Sequence, residues 1–225
     1  KMSFLNTFDN HANCLNPLMK KFKGLLQPVN AKGLEKLAHL SSKITRQHFG
    51  YTMRLFAPLY LSNECINNCT YCGFSRSNQI LRVTLKKEQV VAEAAHLHSL
   101  GFRSLLLVAG EHPKFVSDGY LEECIKEIRN LIPSIALEVG PMETPEYERM
   151  VIAGCESLVV YQETYDRDTY NQLHTSGPKK NFNWRLECPE RAYEGGVRKI
   201  GIGALFGLSE WKTEALALAS HLAYL

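Results

Sequence analysis

Residues 61–78, LSNECINNCTYCGFSRSN, decide how the rest of this chain is read. They carry Cys65, Cys69 and Cys72 at the spacing C-x3-C-x2-C. A loop this compact can aim three thiolates at one point, and thiolates are the ordinary ligands of iron–sulfur clusters. A closed structural zinc site takes four ligands, yet residues 73–92 supply neither cysteine nor histidine. Three ligands suit a four-iron cluster that keeps one iron open for something that reacts. The plain alternative is three unrelated cysteines packed as small hydrophobes. Their density in one short loop, in a chain with seven cysteines in all, argues against it.

Composition sets the frame around this loop. A chain of 225 residues is long enough for one α/β barrel-like domain or a large part of one. A formal charge of +3 is too small to point to a nucleic-acid partner. Lys20, Lys21 and Lys23 read as a solvated helix face. No apolar run reaches spanning length and no signal peptide precedes the first helix, so no membrane association is expected. Cys14, Cys124, Cys155 and Cys188 are scattered singly, which is not a disulfide framework, and a reducing cytoplasm fits thiolates that must be loaded before they oxidise.

Residues 1–50 read as a helical preface, with Leu15, Leu18, Met19, Phe22, Leu25 and Leu26 recurring at helical spacing. A second helix is expected from about Leu34 to His48, with Leu34, Leu37, Leu40 and Ile44 on one face and Gly50 closing it. His39 and His48 are expected at the surface rather than as ligands. From residue 51 a barrel domain is expected. Residues 53–61, MRLFAPLYL, are apolar apart from Arg54, as in a strand buried on both faces, although Pro58 suggests an end or an edge. Beyond the cysteine loop, strands are expected at 104–109, 135–139, 157–162 and 199–205. Helices are expected at 85–100, 120–131, 145–153, 189–195 and 211–225. Such alternation argues for a parallel sheet with right-handed crossovers. The short, regular strands favour a barrel or partial barrel, and no G-x-G-x-x-G follows the first strand to support a dinucleotide fold.

In a barrel of this kind the chemistry sits at the C-terminal ends of the strands. The first strand delivers the three cysteines and the second delivers Gly110, Glu111 and His112. The third delivers Glu138 with Gly140 at its end, the fourth Gln162, Glu163 and Tyr165, and the fifth Gly203, Ala204 and Leu205. Several carboxylates therefore share one rim, where they can accept hydrogen bonds from an ammonium or a ribose hydroxyl. For any one of them, an exposed loop carboxylate remains the bland reading.

The motif C-x3-C-x-aromatic-C, with Tyr71 before the last cysteine, resembles that of the radical S-adenosylmethionine enzymes. Further segments narrow the resemblance: LFAPLYLSN at 55–63, CTYCGFSRSN at 69–78, VAGEHP at 108–113, VYQETY at 160–165, WRLECPERA at 184–192 and GIGALFGLS at 201–209. Together they are similar to the aromatic-amino-acid lyase group of that superfamily, above all to its tyrosine lyases of thiamine thiazole synthesis. The resemblance runs over nearly everything from Leu25 onward. It implies a TIM-type (βα) barrel, of which this chain would hold about five βα units, the later strands and part of the substrate pocket falling beyond Leu225.

The same resemblance implies the cofactors, a 4Fe-4S cluster on Cys65, Cys69 and Cys72 and S-adenosyl-L-methionine. Tyr71 would lie near the adenine, and Gly110 and Glu111 match the segment that receives the methionine amino group. Glu138 joins them as a cofactor-binding residue. Glu163 matches the acid that holds the ribose or the methionine end, and Arg185 a basic position offered to the methionine carboxylate or the substrate. These two would also be the catalytic pair. Gly203 to Leu205 match the segment that packs by the adenine. A 5′-deoxyadenosyl radical would take a hydrogen from L-tyrosine, the Cα–Cβ bond would break, and dehydroglycine and p-cresol would result. Implied partners are a thiazole synthase that consumes dehydroglycine and a reduced flavodoxin or ferredoxin. Two alternatives stay open: the tyrosine lyase that matures iron-only hydrogenase, and a non-catalytic module holding zinc on the three cysteines and a distant ligand.

Overall fold

The structure, a computed structural model, describes residues 17–225, so Cys14 and Leu15 lie outside the described residues. The described chain falls into two compact units that divide between Leu55 and Phe56. The first holds two helices, α1 (Pro17–Leu25) and α2 (Ala31–Phe49). Asn30 caps α2 by accepting the Gly33 N–H at 2.9 Å, which satisfies one of the amides a helix start leaves orphaned. Gly50 ends the helix at φ 64, a left-handed conformation that costs a glycine little. The expected apolar stripe is there but uncovered: Leu34, Leu40 and Ile44 are all exposed. His39 is also at the surface, 3.2 Å from Glu35 one turn earlier.

The second unit is built on a five-stranded parallel sheet. Its strands are β1 (Ala57–Ser62), β3 (Ser104–Ala109), β4 (Ser134–Glu138), β5 (Cys155–Glu163) and β7 (Lys199–Ala204), in that order across the sheet. Each strand lies beside its successor, so the winding never reverses. A doubly wound sheet would show a switch point; its absence here is the barrel-type order expected from the regular alternation. Helices α3 (Lys87–Ser99), α4 (Asp118–Ile128), α5 (Thr144–Ala153), α8 (Cys188–Glu194) and α9 (Trp211–Tyr224) alternate with these strands.

Only one face of the sheet is packed as a core. Leu59, Leu61, Leu105, Leu107, Ile135, Leu137, Leu158 and Val160 alternate with their neighbours and meet Val90, Ala94, Ile125, Ile128, Tyr147 and Met150 of the helices. Burying such side chains contributes roughly 1.5–3 kcal/mol each. The expectation that 53–61 forms a strand buried on both faces fails. The strand begins at Ala57, Met53 and Leu55 are exposed, and Tyr60 is 58% exposed. The second face of β1 looks onto a cavity rather than a helix layer. Pro58 does sit on an edge strand, where its missing N–H leaves no gap in the ladder.

Four short elements between β5 and α8 escape sequence reading: α6 (Arg167–Leu173), β6 (His174–Ser176), a 3-10 turn at Pro178–Lys180 and α7 (Phe182–Leu186). They are too short to show periodicity. One partner of β6 lies far away in the chain: it pairs antiparallel with β2 (Asn68–Cys69), setting His174 opposite Cys69. The cysteine loop is therefore strapped to the segment after β5 by a ladder of its own.

Candidate functional site

The loop that follows β1 is held by polar contacts at almost every residue. The Cys72 N–H donates to the Cys69 carbonyl at 3.0 Å, and the Ser75 N–H to the Cys72 carbonyl at 3.2 Å. Ser75 Oγ accepts the Cys69 N–H at 2.9 Å and donates to the Cys69 carbonyl at 2.5 Å. The Arg82 guanidinium binds the carbonyls of Asn63, Phe74, Ser75 and Asn78, so a single side chain pins the loop where it leaves and re-enters the domain. Asn78 adds bonds to the carbonyls of Cys72 and Gly73. None of this network consumes a thiol. All three loop cysteines are free, and they line one cavity of about 460 Å3.

Tyr71 points back into the domain. Its hydroxyl lies 2.7 Å from His174 Nε2, and His174 Nδ1 lies 2.8 Å from the Tyr170 carbonyl. Burial pushes the His174 ring down to about 4, so it is neutral near pH 7. A carbonyl can only accept, so Nδ1 carries the proton and Nε2 accepts from Tyr71. Burial, followed by the nearby Glu163 carboxylate, pushes the Tyr71 hydroxyl up and keeps it protonated.

The opposite wall is built around Glu163, at the C-terminal end of β5. Its φ is 72, making it the one non-glycine residue of positive φ among the described residues. The register of β5 against β7 shifts between Tyr161 and Glu163, a bulge that re-aims the carboxylate. Such a conformation costs on the order of 1–3 kcal/mol, persists only where surroundings enforce it, and clusters at functional sites. Here the Glu163 carbonyl accepts the Leu205 N–H at 2.7 Å, and its carboxylate meets Lys179 Nζ at 2.7 Å. Arg185 Nη2 stands 3.7 Å from the same carboxylate while Arg185 Nε donates to the Tyr161 carbonyl at 2.6 Å. Arg185 is only 9% exposed, so its guanidinium lies inside the domain rather than at the surface. Glu138, on the neighbouring strand β4, also lines the cavity, and burial, with Glu163 next, pushes its carboxyl up.

The expected rim residues divide into two groups. Cys65, Cys69, Cys72, Tyr71, Gly110, Glu111, Glu138, Glu163 and Arg185 all line the same cavity. Gly203 and Leu205 are not among its lining residues, and they act one layer away. A Cβ on Gly203 would come within 2.5 Å of the Tyr161 ring, so this glycine makes room for an aromatic that does line the cavity. Leu205 contributes its backbone N–H to Glu163. Gly110 needs its missing side chain for a reason other than ligand approach: a Cβ there would meet the Glu64 carbonyl at 2.3 Å. It lets the cysteine loop lie directly on the end of β3.

Sequence reading missed Asn67, Lys179 and the Tyr60–Phe74 edge contact, all beside the cavity. Lys179 follows a Gly–Pro pair, which reads as punctuation. The x positions of a C-x3-C motif are ordinarily passed over, and Asn67 is one of them. A second, smaller cavity of about 250 Å3 lies beyond Glu111 and Gly140, lined by His112, Ser117, Met142 and Glu146 among others.

The donor set fits a four-iron cluster. Three free thiols converge on a cavity that also presents carboxylates and two cationic groups, suited to the ends of a zwitterionic ligand. Burial pushes the Cys69 thiol up to about 11 against the opposing pull of Lys179, and coordination would have to draw that proton off. Among the described residues no three His, Cys, Asp or Glu side chains are gathered tightly enough to hold a single metal ion.

Comparison with known proteins agrees with this geometry. Residues 59–219 match the family model described as the Radical SAM superfamily. The chain is 44% identical over 202 residues to 2-iminoacetate synthase of Escherichia coli K12, covering 89% of this chain and 54% of that protein. It thus spans about half the length of the curated relatives it matches. Among solved structures it is similar to HydG, a maturase of the [FeFe]-hydrogenase. The TM-score is 0.86 at 30% identity, over 92% of this chain and 49% of that one. HydG from Carboxydothermus hydrogenoformans gives a TM-score of 0.78 at 42% identity, over 81% of this chain and 43% of the other.

Proposed function

The chain belongs to the radical SAM superfamily, whose cofactors are a 4Fe-4S cluster and S-adenosyl-L-methionine, and from that premise we propose that it is the catalytic part of a tyrosine lyase. The reaction proposed is cleavage of the L-tyrosine Cα–Cβ bond to 2-iminoacetate and p-cresol, in the thiamine thiazole pathway. The observation that carries this reading is the cavity in which the three thiols meet Glu111, Glu138, Glu163, Lys179 and Arg185. The 44% identity to a 2-iminoacetate synthase supports this choice of reaction.

When bound, the cluster and S-adenosylmethionine supply the one-electron chemistry, and the protein contributes position and exclusion of water. Cys65, Cys69 and Cys72 would hold three irons. Glu138 and Glu163 present acceptors to an ammonium or to ribose hydroxyls, while Lys179 holds the Glu163 carboxylate in place. Arg185 has committed Nε to Tyr161, so it faces a ligand carboxylate through its terminal nitrogens. Tyr71, locked to His174, forms a rigid wall beside them. The domain division at residues 50/51, a reduced flavodoxin or ferredoxin as electron donor, direct transfer of the hydrolysable imine to a thiazole synthase, and a reducing cytoplasm belong to the same proposal. No helix among the described residues is long and apolar enough to cross a membrane.

A second reading, the tyrosine lyase of hydrogenase maturation, is supported by 42% identity to a HydG chain. The test is product analysis of the full-length protein, reconstituted anaerobically and supplied with tyrosine, S-adenosylmethionine and a strong reductant. The thiamine-pathway reading expects p-cresol, deoxyadenosine and glyoxylate from imine hydrolysis, with no carbon monoxide or cyanide. Stoichiometric carbon monoxide or cyanide would move the assignment to the maturase. Cleavage stimulated by another amino acid, without p-cresol, would overturn the substrate.

A further inference from the structure

We propose that Asn67 is a positioning residue that ties the cysteine loop to the ligand-binding rim and raises the reduction potential of the cluster held there. This rests on the superfamily's cofactor and not on which amino acid is cleaved. Asn67 is 2% exposed, and every hydrogen-bonding atom of its amide is used. Nδ2 donates one hydrogen to Glu111 Oε2 at 2.7 Å and the other to Cys65 Sγ at 3.7 Å. Oδ1 accepts the Lys179 N–H at 2.8 Å, and the Asn67 backbone carbonyl accepts the Arg76 N–H at 2.9 Å.

One amide therefore joins three segments: the loop after β1, Glu111 after β3, and the strap after β6 that carries Lys179 to Glu163. The strap is shaped for this contact. Gly177 has φ 87, and a Cβ there would stand 2.3 Å from Asn67 Oδ1. No common side chain replaces the amide. Aspartate would set a carboxylate against the Glu111 carboxylate, and leucine would leave both Glu111 and the Lys179 N–H without their partner.

The three thiols differ in what donates to them. Cys72 Sγ receives a backbone donor, the Phe74 N–H, at 3.4 Å. Cys65 receives a side-chain donor, which can be removed without touching the backbone. A cluster gains negative charge on reduction, so an N–H on a ligand sulfur stabilises the reduced form more than the oxidised one and raises the potential.

The test compares wild-type protein with Asn67→Ala, Asn67→Asp and Asn78→Ala, each reconstituted anaerobically. Midpoint potentials come from redox titrations followed by electron paramagnetic resonance, and S-adenosylmethionine affinity from equilibrium binding. Asn67→Ala is expected to shift the ratio of reduced to oxidised cluster about tenfold at fixed potential, a midpoint lower by about 59 mV for a one-electron couple. Asn67→Asp should lie lower still, and both should bind S-adenosylmethionine about tenfold more weakly. Asn78→Ala, which loses bonds to the same loop but none to sulfur, should keep the wild-type midpoint. An unchanged midpoint in Asn67→Ala at full iron content, or an equal shift in Asn78→Ala, overturns the inference. Should neither Asn67 variant hold its cluster, wild-type protein carrying 15N-asparagine still decides. Pulsed resonance on the reduced cluster should show a nitrogen coupling, and its absence overturns the proposal. A wild-type chain that takes up no cluster would fell the cofactor assignment and this inference together, whereas a loaded cluster of unaltered potential fells the inference alone.

Discussion

Leu105 and Leu107 of β3 are fully buried beneath the helices, while Val108, the next residue, lines the cavity beside Glu138 and Tyr161. The two faces of one sheet thus divide the work. The helix-covered face is packed mainly with apolar side chains. The cavity face carries a strained glutamate, a buried and a half-buried cation, and the wall against which the cysteine loop is strapped. Stability concentrates on one face and chemistry on the other, because a group that must bind a ligand cannot also be sealed against water.

The sharpest way to break this division is at the thiols. Replacing Cys65, Cys69 or Cys72 by Ser should abolish cluster assembly and cleavage of S-adenosylmethionine, read as iron content and deoxyadenosine yield. The denaturant midpoint of the metal-free protein should hardly move. Serine at Cys124, Cys155 or Cys188 should leave the cluster intact, since all three are buried away from the cavity. Normal activity in any loop variant would remove that cysteine from the ligand set.

The converse substitution is Leu107→Ala, which leaves a void under α3 and α4. It should cost about 2–5 kcal/mol in chemical denaturation. Iron content per folded molecule should match wild type, and a selective loss of cluster would show that the faces are not separable. Glu163→Ala works within the cavity. It strips Lys179 of its buried partner, and breaking such a pair costs about 2–5 kcal/mol. The loss should appear in S-adenosylmethionine or tyrosine affinity while the cluster still loads, and wild-type affinity for both ligands would sink the role given to Glu163.

The smallest effect concerns pH and a residue behind the site. Glu214 of α9 accepts from Thr164 Oγ1 and from the Tyr165 and Asp166 amides, and His221 Nδ1 lies 2.9 Å from the Tyr165 hydroxyl. Burial pushes the His221 ring down to about 4 from an ordinary 6.5. The unfolded chain then binds more protons than the folded one between these values. Stability should be complete above pH 6.5 and fall as pH drops towards 4, by up to about 3 kcal/mol. Unfolding of His221→Gln should show a correspondingly flatter pH profile over that window. A slope identical to wild type would assign the loss to other groups.

Much of this was legible without coordinates. The spacing of Cys65, Cys69 and Cys72 points to thiolate ligands, because thiolate chemistry depends on residue identity and short-range geometry. The alternation of strand and helix fixed a parallel sheet of barrel order, because periodicity is local. The rule that function sits at the strand ends placed Gly110, Glu111, Glu138 and Glu163 on one rim. The order of strands carries no information about which groups pair across the cavity. The partnership of Lys179 with Glu163 depends on a ladder between β2 and β6, two elements too short to leave a periodic trace. Gly110 and Gly203 are expected beside the cofactor, and the fold shows that each also clears space for another part of the protein. The sequence by itself determined what chemistry the loop can hold and which strands surround it, since both follow from residue type and local pattern. Only the tertiary structure decided that Asn67, Lys179 and Arg185 close the network around it. Those contacts join residues far apart in the chain, and the bonds exist only once the sheet has brought them together.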